Sequence, residues 1–174
     1  MKYKILPRPE KWIILGIPFL FLAGACLHFT YELTGKSFIV GIFSPVNESV
    51  WEHCKMVVLL TILWWSVYYI CKSKSHSIDK NKWFSGALVS VFVSIITIPL
   101  FFYFYTEAFG IESLIIDILL LLFANFLGQL TGLHVYKYGK GINYIVAICL
   151  LAAIFIAFAV FTIFPPALPI FAAP

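Results

Sequence analysis

The sequence predicts an all-α fold: an integral membrane bundle of five transmembrane helices. The N-terminus is cytoplasmic, the C-terminus lies outside, and a short interfacial or re-entrant segment separates spans one and two. Three observations lead there. Of 174 residues, 62% are hydrophobic and 11% charged, where a soluble domain averages about 25% charged. Apolar runs recur near the length of about 20 residues that crosses the hydrocarbon core. Ten of the twelve Lys and Arg residues fall on one side of a five-span zigzag, and that side is cytoplasmic by the positive-inside bias. A single transmembrane domain, residues 1–174, accounts for the whole length. The formal charge of +4 sits in short inter-helix loops. It therefore marks membrane orientation, and the expected partners are membrane lipids and a membrane protein or second copy of the chain, with no nucleic acid.

Span one runs from about Trp12 to Leu33. Lys2, Lys4, Arg8 and Lys11 precede it, as in a signal peptide, and Leu22-Ala23-Gly24-Ala25-Cys26 has a faint likeness to a lipoprotein cleavage site. Ala23 stands where a large aliphatic residue is needed, and the apolar run continues past Cys26, so the segment reads as a retained span. Next, Lys36 to Pro45 contains an apolar run, residues 37–43, too short to cross. Span two is about Val50–Cys71, and the loop after it carries Lys72, Lys74, Lys80 and Lys82. Span three is about Trp83–Tyr105, span four about Ser113–Tyr136, and Lys137 and Lys140 follow. Span five is about Ile142–Phe164. Pro18 and Pro99 mark kink positions that packing tolerates in a membrane. Trp12, Trp51, Trp64, Trp65, Trp83 and Tyr105 read as interfacial anchors. The four cysteines, Cys26, Cys54, Cys71 and Cys149, contain no Cys-x-x-Cys pair and read as small buried hydrophobes, with a thiol ligand or a disulfide involving Cys26 and Cys54 as the minor alternative.

Acidic residues show the opposite bias. Glu10 and Asp79 are cytoplasmic, whereas Glu32, Glu48, Glu52, Glu107, Glu112 and Asp117 belong to the outer half. Ionisable groups cost roughly 2.5–3.5 kcal/mol each at the centre of a membrane helix. Their clustering therefore locates the chemistry. His28 and Glu32, four apart, share a face of span one, and Gly24 continues it. The pair can chelate a metal or tie span one to a neighbour. Residues 44–55 pack two carboxylates, a histidine, an amide and a lysine around the start of span two. Glu48, Glu52 and Lys55 form a stripe at steps of four and three. Ser44-Pro45 can open a helical turn, Ser49-x-x-Glu52 fits a capping box, and Lys55 can pair with either carboxylate. His53 points about 100° away from Glu52, toward another neighbour. Asp117 lies about five residues inside span four. Its face continues near Ala124, Gly128 and Gly132, small residues that mark a packed side. Asn125 and Gln129 read as interhelical hydrogen bonders, and His76 and His134 as incidental.

Together these residues make a mixed nitrogen–oxygen ligand set suited to a divalent metal, zinc, manganese or iron. The metal candidates are His28, Glu32, Glu52 and His53, and the catalytic candidates are Glu48, Glu52 and Asp117. There is no His-Glu-x-x-His, Gly-x-Ser-x-Gly or phosphate loop to name a reaction.

The string Pro45-Val46-Asn47-Glu48-Ser49-Val50-Trp51-Glu52-His53, preceded by His28-Phe29-Thr30-Tyr31-Glu32, resembles a family of small bacterial multi-pass membrane proteins of unknown function with a Pro-Val-Asn-Glu-Ser-x-Trp-Glu-His signature. The resemblance is strongest over the first two spans. It implies a protein integral to the bacterial cytoplasmic membrane with its distinctive residues at these positions, and it implies no activity. Three functions remain open: a metal-dependent hydrolase or transferase acting on a lipid or peptide, a component of a cation, proton or small-solute transporter, and a non-catalytic membrane partner.

Overall fold

The computed structural model describes residues 8–173; Lys2, Lys4 and Pro174 lie outside the described residues. Six α-helices follow one another: α1 (Pro9–Leu33), α2 (Phe38–Phe43), α3 (Val50–Lys72), α4 (Lys80–Phe109), α5 (Leu114–Tyr138) and α6 (Tyr144–Ile163), ending in a 3-10 turn at Pro169–Phe171. No strand occurs among the described residues. Every helix except α2 is long and apolar enough to cross a membrane.

The boundaries follow local chemistry. Asp79 caps α4 by accepting from the amides of Asn81 and Lys82, and Gly110, with φ 63°, closes its other end. A left-handed residue there suits glycine, which has no Cβ to clash. The caps give α4 30 residues, about 45 Å at 1.5 Å per residue. It therefore exceeds the predicted Trp83–Tyr105 at both ends, because hydropathy registers only the apolar middle. Pro18 and Pro99 sit inside uninterrupted helices. The short predicted segment is α2, whose Phe38 and Ile39 are exposed while Gly41 is buried.

Helices α1, α3, α4 and α5 close into a ring, and α6 lies across the seam of α3 and α4. Neighbours in the ring are antiparallel. Trp12 and Trp64 stack with centroids 3.9 Å apart and each indole N–H donates to the other's backbone carbonyl, at 3.1 and 3.2 Å. Small residues bring α4 and α5 close: a Cβ on Gly128 would lie 2.1 Å from Ser94 Oγ, and one on Gly132 would lie 2.7 Å from the Gly86 carbonyl. Ser94 Oγ donates to the Ala124 carbonyl at 2.9 Å. Gln129 accepts from Trp65 Nε1 at 3.1 Å and donates to Ser90 Oγ at 3.0 Å, an interhelical bridge of the predicted kind. Asn125 instead donates within its own helix, to Leu121. All four cysteines are free thiols, and only Cys54 is buried as expected; Cys26, Cys71 and Cys149 are exposed on the outward faces of their apolar helices.

One end of the bundle collects the C-termini of α1, α4 and α6 and the N-termini of α3 and α5. Glu32, Glu48, Glu52, Glu107, Glu112 and Asp117 all belong to this acidic end, and most of the lysines belong to the other.

Candidate metal centre

The acidic stripe predicted at residues 48, 52 and 55 divides because the helix starts late. Ser49, not Ser44, caps α3, its hydroxyl accepting from the Glu52 amide at 3.3 Å. Residues 44–49 therefore form a non-helical loop. Asn47 Oδ1 accepts from the Ser49 amide at 2.9 Å and tightens the loop. Glu48 leaves the helical periodicity and turns toward α1.

There it meets two imidazoles. His28 Nε2 lies 3.6 Å from Glu48 Oε1, and His53 Nε2 lies 3.4 Å from Glu48 Oε2. The rings of His28 and His53 stack with centroids 5.5 Å apart. One ligating atom from each of the three residues falls within 4.8 Å of the others. Ligands about 2.1 Å from a tetrahedral metal stand about 3.4 Å from one another, so the three atoms must draw closer than this limit to share one metal. His53 Nδ1 lies 2.9 Å from the Ser49 carbonyl. A carbonyl only accepts, so Nδ1 donates, and a neutral imidazole then keeps its Nε2 lone pair for a metal in the space it shares with Glu48. That backbone bond sets the tautomer a metal ligand needs. His28 Nδ1 is buried without a hydrogen-bond partner.

The three residues stand at the mouth of a cavity of ≈ 580 Å³ in the lumen of the ring. Asp117 lines the same cavity from α5, and the Tyr105 hydroxyl of α4 donates to Asp117 Oδ1. Met56, Ile98, Leu120 and Leu121 supply apolar walls deeper in the ring. Three outer segments predicted to converge, the end of span one, the start of span two and the start of span four, thus meet at one cavity through His28, His53 and Asp117, with Glu48 added from the loop.

Glu52 and Glu32 stand apart from this group. Glu52 faces α2 and α6. Its Oε2 lies 2.6 Å from Lys55 Nζ and accepts from the Val46 amide at 3.1 Å, and its Oε1 accepts from Thr162 Oγ1 at 2.7 Å. Lys55 Nζ donates further to the carbonyls of Gly41 and Ser44, at 2.8 and 2.9 Å. Both side chains are sealed, at 1% exposure for Lys55 and 3% for Glu52. The capping box is therefore half formed: Glu52 reaches past Ser49 to Val46. Glu32 is exposed and pairs with Lys36 at 3.4 Å, a local i,i+4 contact at the end of α1. Tyr105 and Thr162 carry no functional signal in the sequence. Tyr105 looks like an interfacial anchor and Thr162 like one hydroxyl in an apolar run. Only the tertiary arrangement gives each a carboxylate.

Residues 1–173 match the model of a family described as a family of unknown function (DUF6512). No curated protein and no solved structure matches the chain.

Proposed function

The chain belongs to this family of unknown function, and we propose that it is a membrane-embedded, metal-dependent hydrolase or transferase. The carrying observation is the convergence of His28, Glu48 and His53 at the mouth of a largely apolar cavity. Two imidazoles and a carboxylate are the ligand set of many catalytic zinc sites, in which the fourth position holds water. A metal held by His28, Glu48 and His53 would supply a water of lowered pKa as the nucleophile near neutral pH. Asp117, facing the same cavity and oriented by the Tyr105 hydroxyl, is the general base. Glu52 is assigned a supporting role: with Lys55 it anchors the loop that carries Glu48.

The excess of basic residues at the opposite end supports a cytoplasmic orientation for that end, and with it a centre on the outer side of a bacterial cytoplasmic membrane. The apolar floor formed by Met56, Ile98, Leu120 and Leu121 favours a blind reaction chamber over a polar path through the bilayer, and so an enzyme over a transporter.

Metal analysis tests the proposal. Protein purified in detergent and dialysed against zinc should hold one equivalent. His28→Ala and His53→Ala should lose it, and Glu32→Gln should keep it. Wild-type protein that takes up no zinc, manganese or iron would overturn the proposal, as would unchanged uptake in both histidine variants.

A further inference from the structure

The cavity's rim bears on what enters it. Phe29 at the end of α1, and Leu114 and Ile118 at the start of α5, line the cavity and are also exposed, at 61%, 74% and 46%. All three belong to helices long and apolar enough to span a membrane. A side chain that both lines a lumen and faces outward marks an opening, here between the neighbouring helices α1 and α5. Exposed apolar side chains on a spanning helix face lipid, so this opening is lateral. Glu48, 64% exposed, forms the opposite, polar part of the rim. The mouth is therefore amphipathic, with hydrocarbon on one side and water on the other.

The lining also bears on the scissile group. It contains no Lys or Arg. Of the basic residues at the acidic end, Lys36 is exposed and paired with Glu32, and Lys55 is buried and paired with Glu52. Phosphate recognition ordinarily recruits such cations. The titratable groups at this cavity are instead two imidazoles and two carboxylates. That set suits an uncharged carbonyl better than a phosphoryl group.

Resting on the metal-dependent reading above, we infer that the substrate is a membrane lipid with an acyl ester or amide, entering sideways between α1 and α5 with its chain in the apolar lumen and its carbonyl at the His28–Glu48–His53 centre. The volume of ≈ 580 Å³ falls within the ordinary range of about 300–1,000 Å³ for small-molecule sites. Hydrolysis balances without an added oxidant or reductant. The water oxygen bonds to the acyl carbon and the bond from that carbon to the alcohol oxygen or amine nitrogen breaks. The proton taken up by Asp117 passes to the leaving group, giving a fatty acid and an alcohol or amine.

The test uses zinc-loaded full-length protein in lipid nanodiscs and two probes of equal chain length, p-nitrophenyl decanoate and p-nitrophenyl decyl phosphate, with nitrophenolate release as the readout. The decanoate should be cleaved and the phosphate left intact. Ile118→Trp, which obstructs the lateral opening, should keep its zinc yet lose ~10-fold or more in kcat/KM on the ester. Preference for the phosphate, cleavage of neither probe, or full ester activity in Ile118→Trp would overturn the inference while zinc binding and its loss in His28→Ala still stood. Absence of zinc binding would instead overturn the metal-dependent reading itself.

Discussion

Removing the ammonium of Lys55 is the sharpest perturbation of the acidic end. Its Nζ donates at 2.6, 2.8 and 2.9 Å to Glu52, Gly41 and Ser44, so all three donors are used. Lys55→Met keeps most of the volume and deletes all three. It leaves a carboxylate at 3% exposure held only by the Val46 amide and the Thr162 hydroxyl, together with two carbonyls lacking this donor. Breaking a buried pair from one side costs about 3–5 kcal/mol. The freed carbonyls add to that by about 1 kcal/mol each if water does not reach them. A loss of about 3–7 kcal/mol is the expected outcome, measured by reversible unfolding in mixed micelles of dodecyl maltoside and SDS. The double variant Glu52→Gln/Lys55→Met should cost less than the sum of its singles by at least about 1 kcal/mol, because the second change removes the charge the first one stranded. A Lys55→Met variant within about 1 kcal/mol of wild type, or strictly additive singles, would refute the account of a sealed, mutually dependent pair.

His53→Ala should abolish zinc binding by isothermal titration while shifting the unfolding midpoint little, since the ring is partly exposed; Lys55→Met should do the reverse, weakening stability first and zinc affinity through the loosened loop. Gly128→Ala drives a Cβ to within 2.1 Å of Ser94 Oγ and 2.7 Å of the Ser90 carbonyl, so the same unfolding assay should register a loss of about 1–3 kcal/mol. Asp117→Asn should leave zinc stoichiometry intact and lower kcat on the ester probe at least ~100-fold if the carboxylate is the base. Orientation is read by thiol labelling in intact cells, with the native cysteines replaced by serine: Glu112→Cys should react with an impermeant maleimide, and Lys74→Cys should not.

Much of this architecture was legible from residue order. Five apolar runs and the opposed bias of lysines and acids locate the spans and the end that carries the His28–Glu48–His53 group, because both report on the solvent around the chain. His28, His53 and Asp117 could be assigned to one region because each sits near the same end of a span. The division of labour between Glu48 and Glu52 was not legible. Their separation of four is the helical repeat, and Ser44-Pro45 and Ser49 both offer a helix start. Choosing Ser49 frees Glu48 from the helix and sends it to the opposite side from Glu52. Glu32 shows a related ambiguity, standing four residues from both His28 and Lys36. The lysine pairs with it, while His28 turns to Glu48. Lys55 was expected to pair with a carboxylate and does. That its partners would include the carbonyls of Gly41 and Ser44 depends on how the chain between α1 and α3 folds back, which no local periodicity encodes.

The α4–α5 seam has a mechanical consequence. Where Gly86 meets Gly132 and Gly128 meets Ser90, the approach involves main-chain atoms, so no rotamer is available to yield. A side chain added at any of these glycines must therefore part the two helices themselves. At the Trp12–Trp64 contact, by contrast, α1 and α3 meet through stacked indoles, and a substitution there removes contact area without forcing two backbones apart.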